Sequence, residues 1–270
     1  MIAPPCVMTS ALRRVLARVL REPIDALPDA AITAIAAAQL AIFGWLDDPR
    51  AVLAAAVLLF PWQLNLAGMC HNHHHYPTFR SPLANRGFEV LMFFQLGMLP
   101  YGYTLHHNIG HHRHYLDQTV DTNRWRRADG GTMGSWEFAW RLCLAMYPNV
   151  WRIGRTHPAL FRKFMRMAWV CASVFALLFV IDPLNAVLVF VLPLPPALLL
   201  QAQATHHQHA GLTASDPLHA SRTVTGRRYN LRTLNLGYHA AHHLRPGLHW
   251  SKLPAFHARI AARLPPELVA

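Results

Sequence analysis

Uncharged apolar stretches and short polar turns alternate along this chain in a pattern that predicts two helical hairpins. Ala30 to Leu46 carries no charge, the turn Asp47-Asp48-Pro49-Arg50 follows, and Ala51 to Cys70 is again uncharged. The second pair runs from about Phe164 to Ile181, through Asp182-Pro183-Leu184-Asn185, and on to about Ala204. A helix needs about 20 apolar residues to cross a bilayer, and these four stretches meet or approach that length. They lack the one-sided periodicity of a soluble core helix. Pro193, Pro195 and Pro196 are expected to kink the last of them. A fifth apolar stretch, Gly87 to Leu105, is interrupted by Glu89, Gly97, Pro100 and Gly102; it is expected to lie in the interface or to re-enter. Ala11 to Arg21 sets Arg13, Arg14, Arg18 and Arg21 among Leu and Val. Its apolar run is too short and broken for a signal peptide, so it predicts an interfacial amphipathic helix. The whole reads as one all-α integral-membrane domain over residues 1–270, with about four transmembrane helices as two hairpins plus interfacial helices. Residues 1–29 form an N-terminal amphipathic cytoplasmic segment of it.

Composition agrees with a membrane setting: 53% of the 270 residues are hydrophobic and 14% charged, where a soluble domain has about 25% charged. Lys and Arg number 25 against 13 Asp and Glu, a formal net charge of +12. The basic residues concentrate between Tyr76 and Lys163 and after Thr205, whereas the two opposite turns carry only Arg50. Positive residues stay inside, so both termini are expected to face the cytoplasm. Basic residues that track membrane flanks argue against nucleic acid as a partner. Arg124, Arg126, Arg127, Arg152, Arg155, Arg162 and Lys163 suit an acidic protein partner or anionic lipid equally well. Cys6, Cys70, Cys143 and Cys171 stand apart with no C-x-x-C pair, which indicates neither a disulfide framework nor a zinc or rubredoxin-like knuckle.

The anomaly is histidine. Sixteen of the 19 histidines fall in four groups at the expected cytoplasmic ends of apolar stretches or in the tail. The groups are His71-Asn72-His73-His74-His75, His106 to His114, His206-His207-Gln208-His209, and His239-Ala240-Ala241-His242-His243 with His249 beyond it. His157, His219 and His257 stand alone and read as structural or solvent-exposed. Residues at i, i+3 and i+4 share a helix face, so His71 with His75, and His239 with His242 and His243, each form one patch of imidazoles. Roughly eight or nine such ligands suffice for two transition-metal ions with open positions. The Glu-x-x-His pairs of a carboxylate-bridged di-iron bundle and the H-E-x-x-H of a zinc hydrolase are absent. A histidine-only dimetal centre at the membrane face is the reading that remains. A loose metal-buffering tract or a purification tag does not explain four separated clusters with helical spacing.

The chain resembles the integral-membrane fatty acid desaturase and hydroxylase superfamily, the oxygen-dependent non-haem di-iron enzymes with three histidine boxes. Box one, H-x-x-x-H, corresponds to His71 and His75, and Tyr76 to Asn85 (Y-P-T-F-R-S-P-L-A-N) resembles the same region of bacterial desaturases. Box two corresponds to His107, His111 and His112. Box three, H-x-x-H-H, falls on His239, His242 and His243 within the long context N-L-G-Y-H-A-A-H-H-L-R-P-G-L-H-W-S-K-L-P. His209 matches the additional ligand that follows the last membrane helix. The resemblance thus implies nine metal-ligating histidines, with His114, His206 and His207 as further candidates. Box two departs from the common H-x-x-H-H: its H-x-x-x-H-H spacing, with Gly110 before the pair, resembles the box of alkane and xylene monooxygenases. On a regular α-helix His112, at i+5 from His107, points away from the His107 and His111 face unless Gly110 distorts the helix. His114 is the substitute in that case. Thr205 stands where the family often has Asn.

What the resemblance implies is a fatty acid desaturase, with two Fe2+ ions as cofactor and O2 as co-substrate, acting on a lipid or acyl chain in a bacterial inner membrane. A hydroxylase, monooxygenase or ketolase of the same superfamily is the alternative outcome. Asp117, Asp121 and Asn235 are candidates for orienting ring N–H groups. No fused cytochrome, flavin fingerprint or C-x-x-C iron site is present, so electrons are expected from a separate ferredoxin- or cytochrome-like donor with its reductase. A membrane metal transporter or sensor is the reading from another class. Transport needs polar groups near mid-bilayer, and the early spans offer mainly Gln39, Gln63 and Asn65.

Overall fold

The computed structural model describes residues 9–212 and 215–270. The first eight residues of the N-terminal segment, Cys6 among them, lie outside the described residues. Helices follow in the order α1 (Ser10–Val19), α2 (Ala26–Trp45), α3 (Pro49–Asn65), α4 (Ala67–His75) and α5 (Pro82–Leu96). A turn of π-helix over Thr104–His111 leads to α6 (Ser135–Thr156), α7 (Pro158–Ile181) and α8 (Pro183–Ala186). A second π turn over Val187–Val191 then precedes α9 (Leu194–His209), α10 (Arg227–Thr233), α11 (His239–Leu244) and α12 (Leu253–Ile260). Among the described residues no strand forms, only isolated bridges.

Three helices are long and apolar enough to cross a membrane: Pro23–Trp45, Pro158–Ile181 and Pro183–His209. The bent pair α3 and α4, meeting at 41°, qualifies together as a fourth. The two hairpin turns use one device. Asp48 accepts from the Arg50 amide at 3.1 Å and Asp182 from the Asn185 amide at 2.9 Å, each with proline in the first helical turn behind it. Both act as helix N-caps. The turns are also tied together, because Asn185 Nδ2 donates to the carbonyls of Phe43 at 3.2 Å and Leu46 at 3.0 Å.

The interrupted fifth stretch dips into the bundle and comes back. α5 buries Phe88, Met92, Phe93 and Leu96, and its Gln95 donates to Ile32 O while Gln39 of α2 donates to Phe94 O. Gln39 therefore spends its polarity on a helix cross-tie rather than on an ion path. The helix stops at Gly97, whose φ of 84° suits a residue without Cβ. From there the chain returns to the end it left, so the histidines before and after α5 share one end of the bundle. The stretch turns back rather than crossing to the far end of the bundle.

α1 turns Leu12, Val15 and Val19 outward on one face, as the amphipathic expectation requires. α6 exposes Trp136, Trp140, Leu144 and Trp151 along one side and packs its other side on α9. That row of exposed large side chains is an apolar side of α6 that the rest of the bundle leaves uncovered.

Candidate metal centre

Four helical segments converge at the end of the bundle away from the two hairpin turns, and each delivers imidazoles. α4 ends in His71 and His75, the first π turn carries His107, His111 and, at its end, His112, α9 ends in His209, and α11 holds His239, His242 and His243. Their ring nitrogens gather in two adjoining clusters. His71, His75, His107, His112 and His242 keep one nitrogen each within 4.8 Å of all the others, and so do His111, His209 and His243. His239 joins the second group, its Nε2 lying 2.9 Å from that of His209 and 3.1 Å from that of His243. The clusters touch where the rings of His112 and His243 stack, centroids 4.4 Å apart. Among the described residues neither cluster includes a carboxylate.

The π turn resolves the spacing problem in box two. His112 N–H donates to the His107 carbonyl at 2.9 Å, the i→i+5 closure of a π-helix, which brings residue 112 over residue 107 instead of turning it away. The two Nε2 atoms end 3.1 Å apart. Gly110 makes room for this turn, since a Cβ there would meet Thr122 Cγ2 at 2.4 Å and Ile153 Cδ1 at 2.7 Å. The three further candidates stand outside both clusters. His114 and His207 are exposed, and His206 Nε2 pairs with the Met133 carbonyl at 2.8 Å.

The donor set fits metal. His111 Nδ1–H donates to Asp121 at 2.8 Å and His209 Nδ1–H to the Ala220 carbonyl at 2.9 Å. Each bond holds the ring proton on Nδ1 and leaves the Nε2 lone pair facing the cluster. Successive Nε2 atoms face one another at 3.1 Å (His71 and His107) and 3.0 Å (His112 and His242). Neutral lone pairs at that distance repel, whereas nitrogens bonded to one ion at about 2.0–2.1 Å take up a similar spacing. Nε2 of His75 and of His111 are buried without a protein partner, a state that is rare for structural polar atoms. Burial, reinforced by neighbouring imidazoles, holds His107, His112, His239, His242 and His243 well below the ordinary imidazole pKa. They are therefore neutral near pH 7, the form a metal requires.

Of the three residues expected to orient ring N–H groups, Asp121 does so for His111, and its Oδ1 also accepts the Asn123 amide at 2.8 Å. Asp117 caps Thr119 at the surface, and Asn235 donates to the Trp250 carbonyl. Asp121→Asn is expected to weaken metal binding about 10–100-fold, the usual cost of losing such a partner. Competition with a chelator measures it, and unchanged affinity would remove Asp121 from this role.

Other histidines of the same groups build the frame. His73 bonds Thr78 Oγ1 at 2.8 Å and lies 3.4 Å from Glu89. His249 meets the buried Asp25 at 3.0 Å, where Trp250 Nε1 also donates at 2.7 Å, so the tail is pinned to the N-terminal segment. Two rings went unnoticed in the sequence: Tyr103 packs 4.7 Å from His107, and Tyr115 lies 4.3 Å from His243. Tyr103 stands one helical turn before His107, so its contact is local, whereas Tyr115 meets His243 only through tertiary packing.

Membrane-length helices closing on buried all-histidine clusters define a helical membrane protein with a candidate dimetal centre. A family model described as fatty acid desaturase matches residues 43–270. The chain belongs to that family, and hence to the oxidoreductases. No curated protein matches it.

Proposed function

We propose that this protein is an oxygen-dependent di-iron oxidoreductase acting on an unactivated C–H bond of a lipid or acyl chain, as a fatty acid desaturase. The observation that carries this reading is the meeting of nine imidazoles in two touching buried groups within a chain of this family. His71, His75, His107, His112 and His242 would hold one iron, and His111, His209, His239 and His243 the other. Bound iron with O2 would supply the one-electron oxidation that side chains alone cannot perform on an alkane carbon. The chain's own contribution is placement. Asp121 and the Ala220 carbonyl fix two ring tautomers, the π turn sets box two, and burial keeps water away from the reacting carbon.

The reading includes one domain over residues 1–270, with the histidine end and both termini in the cytoplasm, because Arg50 is the only basic residue at the opposite turns. It includes a separate electron donor that docks on the basic cytoplasmic face. Hydroxylation is the second outcome, favoured by the H-x-x-x-H-H spacing that the π turn accommodates.

The test is expression in a bacterial host that supplies compatible donors, with and without the double substitution His107→Ala, His111→Ala, followed by mass spectrometry of total lipids under air. Loss of two hydrogens from an acyl chain, dependent on oxygen and absent in the variant, is the expected result. Gain of one oxygen moves the assignment to a hydroxylase. Identical lipids together with no stoichiometric metal in the purified protein would sink the enzyme reading.

A further inference from the structure

Two adjoining cavities lead from the outer surface of the bundle to the first histidine cluster. The outer one, about 660 Å³, is an apolar groove between α6 and α9, walled by Trp140, Leu144, Pro195 and Pro196. Leu194 to Leu199 fall near the middle of the Pro183–His209 span, so the groove lies at hydrocarbon depth. Leu144 is 74% exposed and Trp140 57%, which leaves its mouth open on the lipid-facing side. Proline carries no N–H, so Pro195 and Pro196 present no donor to whatever fills it. The inner cavity, about 80 Å³, reaches His107, and Asn123, Gln201 and Thr205 line it together with Leu142, Met146 and Ala202. The two share Cys143 of α6 and Leu198 of α9.

Leu198 is held in that neck from behind. A Cβ on Gly97 would meet its Cδ1 and Cγ at 2.9 Å, and the Gly97 turn is itself fixed by Tyr147 Oη–H donating to the Gly97 carbonyl at 3.0 Å. Gln201 Nε2 donates to the Leu96 carbonyl at 3.2 Å from the other side. The neck thus lies between an open apolar groove and a small chamber of mixed polarity. A hydrocarbon chain fits the first, and only a short segment of it fits the second.

We infer that the substrate is the chain of a lipid resident in the bilayer, which reaches the clusters sideways through the α6–α9 groove, with Leu198 and Cys143 setting how far it advances. The headgroup or remaining chain stays in the membrane, so no soluble carrier delivers it. This route rests on the reading of the histidine clusters as the reacting centre.

Crosslinking decides the route without turnover. The iron-loaded protein is placed in phosphatidylcholine vesicles whose acyl chains carry a diazirine, illuminated, and mapped by mass spectrometry. Crosslinks are expected at Cys143 and, beyond the neck, at Met146 and Ala202. Leu198→Trp should cut those beyond the neck at least about tenfold while leaving labelling of lipid-facing Leu144 unchanged. Retained metal and unchanged Leu144 labelling show that the variant is folded, and Cys143→Trp serves if it is not. Inner crosslinks that persist in both variants, or that form only with a water-soluble acyl thioester probe, overturn the proposal. In cells, Leu198→Ala should shift the position of the new functional group along the chain. If the unsubstituted protein changes no lipid yet shows the neck-dependent crosslinks, the catalytic reading fails and the route stands.

Discussion

In Gly110→Ala protein, bound iron is expected to fall from about two equivalents towards none, and lipid conversion with it. One methyl group does this because the added carbon would stand 2.4 Å from Thr122 Cγ2, 2.7 Å from Ile153 Cδ1 and 2.8 Å from Thr122 Oγ1. Thr122 cannot simply retreat. Its hydroxyl donates to the His106 carbonyl at 2.7 Å, and its neighbour Asp121 holds His111. Relief of the clash moves box two against the residue that orients it. Overpacking of this kind costs about 1–3 kcal/mol in stability, a visible shift in a melting curve, but the larger effect is on metal content. Thr122→Ser in the same chain removes Cγ2 while keeping the hydroxyl, and should restore part of the iron. Full metal and activity in the single variant would show that the π turn tolerates a side chain and does not set the site.

His112→Ala and His114→Ala should differ sharply although the two residues are neighbours in sequence. His112 Nε2 lies 3.1 Å from that of His107 and 3.0 Å from that of His242, whereas His114 is exposed. Loss of His112 should release about one equivalent of iron and lower activity by more than the 10–100-fold typical of an outer partner. Loss of His114 should leave both unchanged. Iron analysis of the two purified variants checks this, and the reverse pattern would mean that box two is read in the wrong helical register.

Much of this architecture is legible in the sequence because local chemistry dictates it. Asp48-Pro49 and Asp182-Pro183 announce helix starts through capping and the fixed φ of proline, and uncharged runs announce the long helices. The i, i+4 pairing of His71 with His75 needs only helix geometry. The H-x-x-x-H-H spacing pointed to a distorted helix at Gly110 but not to its form, since a π turn is stabilised by what packs on it, here Thr122 and Ile153. The same limit applies to Asp121. It was one of three polar candidates, and only the fold brings it to His111 while leaving Asp117 at the surface. α9 also runs past the apolar stretch, to His209 rather than Ala204, because its last turn is held by the tail, where His209 bonds the Ala220 carbonyl. The pinning of His249 to Asp25 joins residues 224 positions apart, a separation no local pattern can encode.

The distribution of the nine histidines along the chain also orders events during synthesis. His71 and His75 are made early, yet their cluster lacks His242 until nearly the whole chain exists, and the second cluster lacks His239 and His243. A nascent chain halted before residue 239 carries four of the five histidines of the first group and two of the four of the second, with the second hairpin already made. On the proposed metal reading, both clusters are complete only once residue 243 has been made, so prematurely terminated chains should enter the membrane with an unfinished site.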